Sequence, residues 1–128
     1  MAYVSLDSDQ IKKANKKHKY THEQVLKLEK CMDPKTGPLY FMKEFIKIQH
    51  PTKGSMDFIP FPYQERLIES YNSHRFSIAM LPRQTGKTTC AAGYLIWYAM
   101  FRPDSQILIA AHKYAGASDI MSRVRYGY

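Results

Sequence analysis

The stretch Ile78–Trp97, IAMLPRQTGKTTCAAGYLIW, decides how this chain is read. It runs from an apolar segment through a polar turn into a second, longer apolar segment. Gly86-Lys87-Thr88 at its centre has the form that ends a phosphate-binding loop. The glycine that opens such a loop five residues earlier is missing, and Leu81 stands in its place. A GKT triplet alone is a weak match, so its context has to carry the reading. Phe76–Leu81 is short and apolar, as a buried strand is, and Lys87–Phe101 is apolar nearly all round, as a buried helix is. A strand, a five-residue turn and a helix would aim the helix's free N–H groups and its positive dipole end at an anion held in the turn.

That context assigns chemistry to the side chains. Gly86 lets the backbone approach phosphate oxygens, Lys87 neutralises the outer phosphates, and the Thr88 hydroxyl suits Mg2+. Thr89 stands one position further, where it can bond the inner phosphate. Arg83 lies within the loop, where a guanidinium reaches the terminal phosphate as an arginine finger supplied by the same chain. Pro82 and a different loop path replace the missing glycine. Some twenty residues upstream, Phe61-Pro-Tyr-Gln64 opens a helix. An amide such as Gln64 can pair with the N6 and N7 edge groups of adenine while Tyr63 stacks on the ring.

Outward from the loop, the rest of the chain reads as one small α/β domain with a basic start. Thr21 with Gln24 forms a capping box for a helix through Met32, with Val25, Leu26 and Leu28 as its modest apolar side. Pro38 suits the first turn of a helix reaching Gln49, with Phe41, Phe45 and Ile48 inward and Met42 and Ile46 alongside. Residues 50–62 read as loop with a short extended piece. Pro62 opens a helix whose apolar residues are Tyr63, Leu67 and Tyr71. After the loop helix, Gln106–Ala111 reads as a second buried strand and Ala115–Arg125 as a last helix. Strand, helix, strand, helix in this order predicts parallel pairing.

The chain has 128 residues and a formal net charge of +8. Residues 1–30 carry seven Lys against four acids, and residues 77–128 carry six Lys or Arg against two. Such a balance suits a polyanion, nucleic acid first. Cys31 and Cys90 have no metal-type spacing and fit a reducing compartment, and the five histidines show no zinc pattern. The start, MAYVSLDSDQ, lacks the basic-then-apolar form of a signal peptide. Ala91–Phe101 is too short to span a bilayer, so no membrane role is expected.

Four stretches, YFMKEFIKIQHPTKG, FPYQERLI, PRQTGKTT and AAHKYAGASDIMSRVR, together resemble the large terminase subunit of tailed bacteriophages, in the branch found in large contractile-tailed phages. That family is the ATPase that pumps DNA into the capsid. The RQxGKTT form, with Arg and Gln in a loop lacking its first glycine, is fairly specific to it. The resemblance runs from about Cys31 to the end and implies a P-loop NTPase domain of the RecA/helicase-like kind, with a parallel sheet preceded by N-terminal helices. It divides the chain into a basic helical segment at 1–30 and the N-terminal part of the ATPase domain at 31–128. The implied ligands are ATP and Mg2+, held by Tyr63, Gln64, Arg83, Gln84, Thr85, Gly86, Lys87, Thr88 and Thr89, with Arg83 and Lys87 acting on the phosphates and Thr88 on the metal. His112 and Lys113 fall where the family couples nucleotide to nucleic acid.

The resemblance also sets out what these 128 residues do not contain: the later strand ending in an acidic pair, the coupling motif beyond it, and the nuclease domain. The sheet is therefore expected to be incomplete, hydrolysis by this piece alone to be slight, and a complementary chain to complete the domain. Implied partners are double-stranded DNA, the capsid portal and the small terminase subunit, in the host cytoplasm. Two other readings stand beside it. One is a piece of a DNA helicase, which the in-loop Arg disfavours. The other is a basic nucleic-acid-binding module whose loop is vestigial.

Overall fold

The computed structural model describes residues 19–50 and 52–128. The expectation of a basic helix or tail at the start falls largely on residues 1–18, outside the described residues. The elements in chain order are α1 (His22–Met32), α2 (Gly37–Phe45), β1 (Lys47–His50), β2 (Gly54–Asp57), α3 (Pro62–Ser73), α4 (Lys87–Phe101) and α5 (Tyr114–Gly127).

Local chemistry sets the helix starts. The Thr21 N–H donates to Gln24 Oε1 at 3.0 Å, so the anticipated cap closes α1. Pro38 lies in the first turn of α2 and Pro62 opens α3, where a missing N–H costs nothing. Helix α2 ends at Phe45, earlier than its apolar spacing suggests, and the next residues form a hairpin. Ile46 and Ile48 also satisfy a period of two, and a residue before proline, as His50 is, disfavours the helical region. The strands pair antiparallel, Lys47 opposite Asp57 and His50 opposite Gly54. Gly54 takes φ +73, the left-handed backbone that a tight hairpin loop demands. A Lys47–Asp57 ion pair joins the strands on the outside.

The core lies between α2, α3 and α4. Phe41, Met42, Ile46, Phe58, Ile68, Cys90, Ile96 and Trp97 are buried in one cluster with Cys31. Trp97 Nε1 donates to the Cys31 carbonyl at 2.7 Å, fastening the end of α1 to the middle of α4. The remaining apolar residues of α1, Val25, Leu26 and Leu28, stay more than a third exposed. On α3 the inward face is centred one residue later than its tyrosine spacing suggests, on Gln64 and Ile68. Phe45, expected inside, is exposed, and α5 contributes no fully buried residue.

The expected parallel sheet is not found among the described residues. The protein is a mixed helix and strand fold whose described sheet has two antiparallel strands. Phe76–Leu81 and Gln106–Ala111 are irregular rather than strands. Phe76, Ile78, Met80 and Leu108 are 82%, 94%, 92% and 91% exposed. The physical reason is partnership: a strand satisfies its N–H and C=O groups only beside another, and a single apolar run has no stable strand state by itself. Among the described residues nothing pairs with either segment.

Candidate functional site

The turn from Pro82 to Gly86 leads into α4 at Lys87, as its spacing predicts. Two residues in it take left-handed backbone, Gln84 at φ +61 and Gly86 at φ +74, and Thr85 between them does not. Alternation of hand at successive residues turns their N–H groups toward one side, which is how short loops make concave anion sites. Leu81, where the first glycine is missing, has no positive φ, so a side chain is tolerated there. Gly86 is the N-cap of α4, and the Cys90 N–H closes the first helical bond onto the Gly86 carbonyl at 2.9 Å. The amides of Lys87, Thr88 and Thr89 therefore have no acceptor within the helix.

Side chains hold this turn in shape. Thr85 Oγ1 donates to the Pro82 carbonyl at 3.0 Å, and Lys87 Nζ donates to the Leu81 carbonyl at 3.2 Å. From α3, Tyr63 Oη and Gln64 Nε2 both donate to the Thr85 carbonyl, at 2.9 and 3.0 Å. Gln64 Oε1 accepts from the Phe61 N–H at 2.9 Å and so also caps α3. The Tyr63 ring stacks on Phe61 with centroids 5.9 Å apart and planes 6° apart. Sequence reasoning chose Tyr63 and Gln64 but missed Phe61, although an aromatic directly before the proline was a visible signal. The carbonyls of Leu81, Pro82 and Thr85 had no signal at all, because backbone atoms carry none.

Electrostatically the turn is one-sided. Arg83 and Lys87 are exposed, and neither has an ion-pair partner among the described residues. Two cations beside free amides and a helix's positive end make the turn a place for negative charge. Thr88 is half-buried at the helix start. Thr89 turns the other way, into a cleft of about 590 Å³ between β1, α4 and α5 whose lining includes His50, Ser122 and Arg123. One turn into α4, burial pushes the Cys90 thiol up to about 11, so it is a neutral packing group at ordinary pH.

The structure thus gathers Tyr63, Gln64 and the residues from Arg83 to Thr88 around one turn. His112 and Lys113 lie immediately before α5, both exposed. Arg123 pairs with Asp119 one turn back on α5, and Arg125 is exposed. No helix of the described residues is long and apolar enough to cross a membrane.

Residues 78–127, which hold the turn, α4 and α5, match the family model described as Terminase large subunit, T4likevirus-type, N-terminal, and over that span the chain is similar to that family.

Proposed function

We propose that the turn from Pro82 to Gly86, with the first turn of α4, cradles the phosphates of ATP with Mg2+ in a motor that drives double-stranded DNA into a capsid. The observation that carries this reading is the paired left-handed backbone at Gln84 and Gly86, directly before a helix whose first amides have no internal acceptor. The donor set fits the ligand: backbone N–H groups, the Lys87 ammonium, the Arg83 guanidinium and the Thr88 hydroxyl are the groups that triphosphate and Mg2+ require. Lys87 Nζ rests on a neutral carbonyl, so it can leave for a phosphate without breaking an ion pair. Arg83, exposed in the loop, is the guanidinium available for the terminal phosphate. Mg2+, when bound with the nucleotide, neutralises phosphate charge beside Thr88. On the family resemblance Tyr63 and Gln64 belong to the same nucleotide site.

Partners belong to the same proposal: DNA, the capsid portal, the small terminase subunit, and a complementary chain. The exposed apolar side chains of Phe76, Ile78 and Met80, alternate residues of one segment, support the last of these, since a contiguous apolar surface favours a cover. The test is a titration of the protein with Mg2+ and a fluorescent ATP analogue, beside Lys87→Ala. Saturable binding by the wild type and a loss of at least about tenfold in the variant is expected, that factor being the worth of one charge-assisted contact of roughly 1.4 kcal/mol. Equal binding by both proteins, or none by a folded wild type, overturns the reading.

A further inference from the structure

Gln64 is the one buried polar residue in the described core, at 6% exposure, and both ends of its amide are taken by protein. Oε1 holds the Phe61 N–H, and Nε2 holds the Thr85 carbonyl. Nε2 also occupies the space beside Gly86 where any larger residue would put its Cβ, 2.5 Å away. A planar amide engaged at both ends fixes the separation of its two partners. Here it sets the start of α3 against the loop ahead of α4.

We propose that Gln64 is a positioning residue for the loop, acting on the phosphates of a bound nucleotide and not on its base. The argument runs through one peptide unit. In a trans peptide, the carbonyl of one residue and the N–H of the next point to opposite sides. The Thr85 carbonyl is drawn toward α3 by two donors, Gln64 Nε2 and Tyr63 Oη. The Gly86 N–H is therefore turned away from α3. Releasing the carbonyl lets that peptide rotate, because φ is soft at a glycine. The loop then samples orientations in which its amides no longer converge. A side chain spent on this strut contributes to affinity through the triphosphate, whatever base is attached.

This inference rests on the ATP-cradle reading for its ligand, and two measurements keep their failures apart. The first compares Mg-ATP with Mg-tripolyphosphate by calorimetry, on wild type, Gln64→Leu and Tyr63→Phe. The expected result is an equal rise in Kd for both ligands, about tenfold for Gln64→Leu, the loss of one buried hydrogen bond. Tyr63→Phe should give a smaller rise, again equal for the two. A variant that weakens ATP and leaves tripolyphosphate unchanged overturns the proposal and makes Gln64 a reader of the base. The second measurement needs no ligand. Gln64→Glu keeps an acceptor for the Phe61 N–H and removes the donor to Thr85. Amide exchange at Cys90, whose N–H closes onto the Gly86 carbonyl, should quicken at least several-fold, while the Glu65 amide of α3 stays protected. Unchanged exchange at Cys90 overturns the strut, including in the case where the wild type binds neither ligand and the cradle reading has itself failed.

Discussion

Replacing Gly86 by Ala should be costly for two separable reasons. Gly86 sits at φ +74, where an L-residue with a Cβ costs roughly 1–2 kcal/mol. The new Cβ would also meet Gln64 Nε2, driving a buried amide off the Thr85 carbonyl. Leaving that buried amide donor unpaired, while Tyr63 Oη still holds the Thr85 carbonyl, costs roughly 1–3 kcal/mol more. The sum is a destabilisation of about 2–5 kcal/mol, read as a fall in the urea midpoint with the slope unchanged. The two parts come apart in a double-mutant cycle. In a Gln64→Ala background the steric part is already gone, and Gly86→Ala should cost only the backbone part, roughly 1–2 kcal/mol. The coupling between the two positions should therefore be at least about 1 kcal/mol. If Gly86→Ala costs the same in both backgrounds, Gln64 does not occupy the space beside Gly86 and the account of the loop's packing is wrong.

Two further predictions concern the same region. Gln84 holds left-handed backbone without being glycine, so Gln84→Val, with its branched Cβ, should destabilise by roughly 1–2 kcal/mol and Gln84→Gly by no more than about 0.5 kcal/mol either way; equal effects in thermal unfolding would refute a strained loop. The Cys90 thiol titrates near 11 when folded against an ordinary 9.0 when unfolded, so the unfolded chain releases its proton first. Stability from this group is whole below pH 9 and falls by about 2–3 kcal/mol as pH rises toward 11. Burial raises Tyr71 and Tyr94 as well and adds loss of the same sign higher in that range. Urea melts at pH 8.5 and 11 should show a drop that is smaller in Cys90→Ala; an identical drop would mean the thiol is not buried as described.

Where the sequence was legible, the determining chemistry was local. The start of α4 at Lys87, the Thr21 cap of α1 and the proline start of α3 each depend on residues within one turn of one another. The end of α2 was less legible because Ile46 and Ile48 fit both a helical and an alternating period, and the hairpin that decides between them is a contact with residues ten positions on. Phe76–Leu81 and Gln106–Ala111 show the limit most plainly. Their apolar composition states a need for burial, but whether a segment becomes a strand depends on a neighbour, and no residue inside the segment encodes one. The site followed the same rule. Side chains that bear charge or an amide could be picked out by type, whereas the carbonyls they hold, at Leu81 and Thr85, emerged only from the folded turn.

Trp97 gives the molecule an optical property of its own. It is the chain's single tryptophan, 1% exposed, with its indole N–H held by the Cys31 carbonyl and its ring beside Tyr94 and Arg102. Its emission therefore comes from one address, the point where α1 is fastened to α4, and neighbouring tyrosines pass their excitation to it. That address lies about 15 Å along the axis of α4 from Lys87, at 1.5 Å of rise per residue. The loop and the fluorophore sit on one rigid rod, so a slide of α4 that begins at the loop shifts the indole against a fixed carbonyl and changes its colour without any attached dye.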